Sequence, residues 1–146
     1  MLQERAMQMN KLAKDVLGSW TLVAAKMQFE DGAAIDMHGP DPLGSVVFAD
    51  TRMTAIITRR SRPARTDDSL GDLFNTMLAY SGTYSIDGNE LATAVDVAWV
   101  PEWVGTTQRR GIEIAGDTLS LRTARQPNPM QQGKIMTGVL TWQRDR

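Results

Sequence analysis

Three side chains of this protein carry the chemistry of proton transfer and charge stabilisation: Asp96, Arg110 and His38. Asp96 sits in Leu91 to Val100, a stretch with two unequal faces. Leu91, Thr93, Val95, Val97 and Trp99 form a bulky face, while Ala92, Ala94, Asp96 and Ala98 form a small one with one carboxylate. Turned inward, the small face would leave room for a ligand, and the carboxylate would then need a partner, because an unpaired buried charge is strongly unfavourable. Thr106, Gln108, Arg110 and Ile112 share one face of the next stretch. A hairpin folded near Glu102 brings Arg110 within cross-strand reach of Asp96. Such a pair either fixes strand register as an ion pair, or works as a general acid or base (Asp96) beside a clamp for a developing anion (Arg110).

His38 lies in the turn-rich run Asp36-Met37-His38-Gly39-Pro40. A lone loop histidine is ordinarily solvated. Folded over a cavity mouth, it titrates near neutral pH and serves as acid or base. No nucleophile-elbow serine accompanies it, which argues against a hydrolase triad. Tyr80, Tyr84, Trp99, Trp103 and Met53 are read either as core packing or as the walls of an apolar pocket, with tyrosine hydroxyls orienting a ligand oxygen. Arg59, Arg60, Arg62 and Arg65 crowd one loop. They are read as a solvated basic segment, or as a rim that steers an anionic ligand.

Composition excludes much else. The chain has 146 residues, no cysteine and one histidine, which argues against disulfide scaffolds, cysteine-ligated zinc, thiol chemistry and His-rich catalytic zinc. No metal or cofactor motif is present. A net charge of −1 argues against a nucleic-acid partner. The N-terminus lacks a signal-peptide pattern and no apolar run is long enough to span a membrane, so the cytoplasm is the expected location.

The elements that must position these residues change period along the chain. Leu2, Ala6, Met9, Ala13 and Val16 make one apolar stripe of an N-terminal helix over residues 1–17, closed by Gly18. That stripe packs on the rest of the chain or on a second copy in a homodimer. From residue 18 to 146 a single domain alternates with period two. Strands are expected at Trp20 to Phe29, Gly44 to Ala49, Met53 to Arg59, Gly82 to Ile86, Leu91 to Val100, Gly105 to Ile114, Thr118 to Thr123 and Lys134 to Gln143, with a short extended piece at Ile35. The loop Gln126 to Gly133 separates the last two. One helix of about three turns is expected over residues 67–78, after Thr66-Asp67-Asp68-Ser69. Consecutive hairpins without parallel crossovers predict an all-β, antiparallel up-and-down barrel of about eight or nine strands, wide enough for one small ligand.

Gly18-Ser19-Trp20 at the first strand and Thr141-Trp142-Gln143-Arg144 at the last resemble the G-x-W start of lipocalins, whose Trp packs at the barrel floor against a basic residue near the chain end. With Gly39-Pro40-Asp41-Pro42-Leu43-Gly44, Tyr80-Ser81-Gly82-Thr83-Tyr84, Pro101-Glu102-Trp103-Val104-Gly105-Thr106 and Gly116-Asp117-Thr118-Leu119-Ser120-Leu121, residues 17 to 144 resemble the bacterial and fungal lipocalin-like domain family. The resemblance implies a small barrel with an interior cavity, and places Trp20 and Trp142 at its floor. The family pattern has a histidine two residues before the acidic position that is Asp96 here. This chain has Ala94 there, so His-dependent chemistry of relatives is not expected. The function expected is binding of a small hydrophobic or aromatic molecule, by a cofactor-free isomerase, cyclase or dehydratase of secondary metabolism or by a non-catalytic carrier or sensor. An interaction module with a self-filled barrel is the third reading.

Overall fold

The computed structural model describes residues 2–128 and 133–146; the side chains of residues 4–10 and 126–128 lie outside the described residues, among them Ala6 and Met9 of the expected stripe. Helix α1 (Leu2–Asp15) precedes strands β1 (Gly18–Phe29), β2 (Ala34–Asp36), β3 (Leu43–Phe48) and β4 (Arg52–Thr58). A 3₁₀ turn (Asp67–Ser69) and helix α2 (Leu70–Asn75) lead into β5 (Met77–Asp87) and β6 (Glu90–Ala98). A second 3₁₀ turn (Pro101–Trp103) precedes β7 (Thr107–Ala115), β8 (Thr118–Arg122), β9 (Gln126–Asn128) and β10 (Lys134–Arg144).

All the ladders are antiparallel. Their order is β1-β3-β4-β5-β6-β7-β8-β10, and β10 pairs back onto β1. That makes a closed eight-stranded barrel, the expected architecture; β2 and β9 are short strands added at its rim. Closure leaves the barrel strands no free edge on which another chain could pair. The Gln126 to Gly133 region, expected as loop, contributes β9; residues 129–132 lie outside the described residues.

The core follows period two. Trp20, Leu22, Val46, Phe48, Met53, Ala55, Ile57, Leu91, Val95, Ile112, Leu119, Leu121 and Trp142 are all buried. One end is sealed. Trp20 is fully buried, its Nε1 donates to the Val16 carbonyl at 2.9 Å, and the Arg144 guanidinium lies 4.3 Å from its ring centroid. Trp20 is thus at the floor against a basic residue near the chain end. α1 reaches this end through Val16 and Leu12, which pack on the core, whereas Leu2 and Ala13 of the expected stripe are exposed.

Two elements differ from expectation. The inserted helix is shorter: Met77 and Leu78 belong to β5, where they pair with Thr58 and Ile57. Backbone pairing to β4 outcompetes the last helical turn. Arg62 closes the helix instead, donating from Nη2 to the Leu73 carbonyl at 2.7 Å, where a cation meets the negative helix end. Second, β6 turns its faces the other way. Leu91, Thr93 and Val95 point into the barrel and Ala92, Ala94 and Asp96 point away. Burying three larger side chains removes more apolar surface from water than burying three alanines, and that gain sets the register.

Candidate ligand-binding site

Opposite the sealed end, the barrel interior retains a cavity of about 70 Å³. Its walls are mostly apolar: Val46, Met53, Ala55, Ile57, Leu78, Leu121 and Leu140. Five side chains with polar groups interrupt them: His38, Tyr80, Arg110, Thr123 and Trp142. Met37 and His38, from the loop between β2 and β3, close the top.

Each polar group reaches the cavity for a local reason. Arg110 pairs across the ladder with Leu91, and residues opposite one another share a face, so Arg110 follows Leu91 inward. Its guanidinium donates to the Arg109 carbonyl (2.8 Å) and to Gln108 Oε1 (3.4 Å), and has no carboxylate partner among the described residues. Tyr80 is inward on β5 and buried. Burial pushes its hydroxyl pKa up, and the Arg110 cation opposes that shift; the hydroxyl has no hydrogen-bond partner among the described residues. Trp142 is 1% exposed, and its Nε1 is the one buried side-chain polar atom without a hydrogen-bond partner among the described residues. His38 is half-buried; burial first, and the Arg59 cation second, lower its pKa below the ordinary histidine value. The ring is therefore neutral at pH 7.

Aromatic rings gather at the mouth. Trp103, brought over by the 3₁₀ turn, meets Tyr80 edge-on at 5.3 Å and Trp99 at 5.0 Å between centroids. Tyr80, Trp99, Trp103, Met53, Arg110 and His38 are thus brought to one end or into one cavity. Tyr84 is not. It lies toward the sealed end, edge-on to Phe48 at 5.3 Å, and its hydroxyl donates to the Ala49 carbonyl at 2.6 Å.

Asp96 is also elsewhere, and its partner is not Arg110. It stands on the outer surface, gripped by Arg52 through two bonds, Nη1 to Oδ1 at 2.8 Å and Nη2 to Oδ2 at 2.7 Å. That guanidinium holds the Asp96 carboxyl below the usual carboxylate range. The cause is a β-bulge. Ser81 pairs with Val97 but Gly82 with Val95, so Asp96 is the extra residue, and both it and Val97 are exposed. Gly82 makes the bulge feasible, since a Cβ there would stand 2.0 Å from the Ala94 carbonyl oxygen. The hairpin register adds to this. Ala94 pairs with Thr107 and Leu91 with Arg110, three residues out of step with a fold at Glu102. An odd offset exchanges the faces.

Trp142, expected at the floor with Trp20, pairs with Leu22 one inward position above it and also walls the cavity, a role that sequence reasoning did not give it. Leu140 and Trp142 alternate with period two, which is the signal that marked them as inward-facing. It did not mark how deep each one sits. Arg52 carried no signal, because its relation to Asp96 spans three strands.

The basic loop is divided. Arg60 Nε donates to the Asp41 carbonyl (2.7 Å) and sits 3.1 Å from its carboxylate; Arg62 holds α2. Arg59 stands beside a second hollow, a surface groove of about 350 Å³ lined by His38, Gly39, Pro40, Asp41, Arg59, Arg60 and Ser61. Among the described residues, no helix is long and apolar enough to cross a membrane.

A crystal structure of a lipocalin-like protein from Bacteroides uniformis is similar over 90% of this chain and 99% of that one, at 17% identity and a TM-score of 0.49. One of an uncharacterized protein from Bacteroides eggerthii is similar over 88% and 99%, at 12% identity and a TM-score of 0.45. The 4'-hydroxy-3'-methoxypropiophenone carrier protein ppsC of Aspergillus oryzae is 33% identical over 88 residues, which are 54% of this chain and 77% of that protein. The model of the lipocalin-like domain matches residues 17–145, nearly the whole chain from the end of α1 to the C-terminus, and this protein belongs to the lipocalin-like domain family.

Proposed function

We propose that this protein is a carrier that holds a small, oxygen-bearing aromatic molecule inside its barrel. The observation that carries the reading is the Trp142 Nε1–H, buried in the cavity wall with no acceptor among the described residues. A buried donor left unpaired is costly, and an acceptor oxygen on a bound molecule satisfies it. Arg110 and the Tyr80 hydroxyl offer further donors in the same wall, while Met53, Ile57 and Leu78 offer apolar contact. The carrier relative is named for a phenol that also bears a ketone, a molecule with an acceptor oxygen at each end. The cavity of about 70 Å³ is smaller than such a ligand needs, so entry requires side chains at the mouth to move.

The test is titration with 4'-hydroxy-3'-methoxypropiophenone, followed by tryptophan fluorescence. Saturable quenching in the wild type, weakened in Arg110→Met, supports the reading. Absence of quenching in all of wild type, Arg110→Met and His38→Ala refutes it.

A second reading is supported by one feature, the neutral His38 ring at the wall shared with Arg110. In a cofactor-free isomerase, cyclase or dehydratase, His38 would act as the base and Arg110 would stabilise the developing anion. Asp96, across the barrel wall, would take no part. Recovery of the bound compound unchanged after prolonged incubation favours the carrier. Turnover that is abolished in His38→Gln favours the enzyme.

A further inference from the structure

Two hollows meet at one side chain. The interior cavity of about 70 Å³ and the surface groove of about 350 Å³ have His38 as their shared lining residue. The interior is too small for an aromatic ketone, and the groove alone would leave such a molecule in water. Joined, they give a depth and a volume that neither has separately.

We propose that His38 is a door between the two, and that the ligand threads past it, ring inward among Tyr80, Arg110 and Trp142, with its remaining substituent in the groove beside Arg59. This rests on the carrier reading above and adds the route and the seating of the ligand. The loop is built to move at this one residue. On one side, the Met37 N–H donates to the Ala25 carbonyl at 2.9 Å. On the other, Asp41 is held at a positive φ of 49°, which non-glycine residues rarely adopt, by the two contacts from Arg60. Both flanks are pinned, while the half-buried His38 side chain between them makes no hydrogen bond or ion pair among the described residues.

The charges around the ring give the door a direction. Arg59 faces it from the segment after β4, Arg110 from β7 and the Tyr80 hydroxyl from β5, while Arg60 and Asp41 in the groove neutralise one another. A protonated ring in this setting meets the Arg59 cation and an apolar wall, and solvent is its better location. Burial and Arg59 hold the ring neutral at pH 7. Acid therefore opens the door and neutral pH closes it.

The experiment is stopped-flow association of 4'-hydroxy-3'-methoxypropiophenone with the full chain, read by tryptophan quenching at about pH 5.5 and pH 7.5, either side of an ordinary histidine. An open state populated at roughly 0.1–10% limits association in proportion, so His38→Ala is expected to associate at least about tenfold faster than wild type at the higher pH. Wild type is expected to speed up at the lower pH, and His38→Ala is not. His38→Gln keeps the bulk without the titration, so it is expected to stay slow at both. Binding by His38→Ala where wild type shows none supports the door in the strongest form. Equal rates for wild type and His38→Ala overturn the door and leave the carrier reading standing. Absence of binding in every variant overturns both.

Discussion

The sealed end of the barrel and its interior cavity use the same residue types to opposite purposes. At the sealed end a Trp, a Tyr and an Arg are all satisfied: Trp20 Nε1 by the Val16 carbonyl, the Tyr84 hydroxyl by the Ala49 carbonyl, and Arg144 by the Trp20 face and Asp117. Around the interior cavity a Trp, a Tyr and an Arg face one space, and partners for the Trp142 donor and the Tyr80 hydroxyl and a carboxylate for Arg110 are all wanting among the described residues. A fold selected for stability alone has no use for a buried donor left unpaired, as Trp142 Nε1 is among the described residues. The contrast separates a region that holds the barrel together from one that keeps capacity for a molecule that is not part of the chain.

The contrast is broken most directly at the tryptophans. Trp20→Ala is expected to destabilise by about 3–5 kcal/mol in chemical unfolding, from lost burial and a cavity at the floor. Trp142→Phe removes a donor that has no partner among the described residues, so its unfolding midpoint should stay much closer to that of wild type while ligand affinity falls. Equal destabilisation by the two would erase the distinction. Next is Arg110→Met, which should lower affinity for the phenolic ketone by roughly 10- to 100-fold if one charged hydrogen bond is lost, with little change in unfolding. Isothermal titration and unfolding on the same sample read both quantities.

The tyrosine pair gives a finer comparison. Tyr84→Phe deletes a hydrogen bond to the backbone and should cost about 1 kcal/mol of stability without touching affinity. Tyr80→Phe should do the reverse, sparing stability and weakening binding. Smallest of all is Asp96→Asn, on the outer surface, which should leave affinity unchanged. Its effect belongs to the acid limb. Arg52 lowers the Asp96 pKa, so the pair stabilises the fold above the ordinary carboxylate value and ceases to as pH falls through the lowered one. Comparing wild-type and Asp96→Asn melting from neutral pH down into that range checks the sign. An affinity loss in Asp96→Asn would mean that the outer pair acts on the cavity through the barrel wall.

How much of the fold and the site is legible in the sequence depends on the range of the interaction. Period-two alternation marks the barrel strands, and turn residues mark their ends, because pleat and turn geometry are local. The resemblance of the G-x-W start and the terminal Arg to lipocalins implied the contact of Trp20 with Arg144, and pairing of the first strand with the last brings it about. Tyr80, Trp99, Trp103, Met53, Arg110 and His38 are all recognisable as candidates by residue type and neighbourhood. Which side of the wall Asp96 occupies is not legible. One bulged residue and an odd offset in a hairpin decide it, and neither leaves a mark in the period of the pattern. The expectation that small side chains face inward to leave room for a ligand also runs against the larger force, since bulky side chains gain more from burial and the cavity is what remains after they have packed.

By itself, then, the sequence determined the class of fold, the closure of the chain into a barrel and the set of side chains available for chemistry, all consequences of local periodicity and of what the chain lacks. Tertiary structure alone decided that Arg110 is an inward cation without a carboxylate among the described residues, that Asp96 belongs to Arg52, that Trp142 is a cavity wall and that His38 stands between two hollows. Those facts depend on register, and register is set by the summed burial of every strand in the barrel rather than by any residue whose role it fixes.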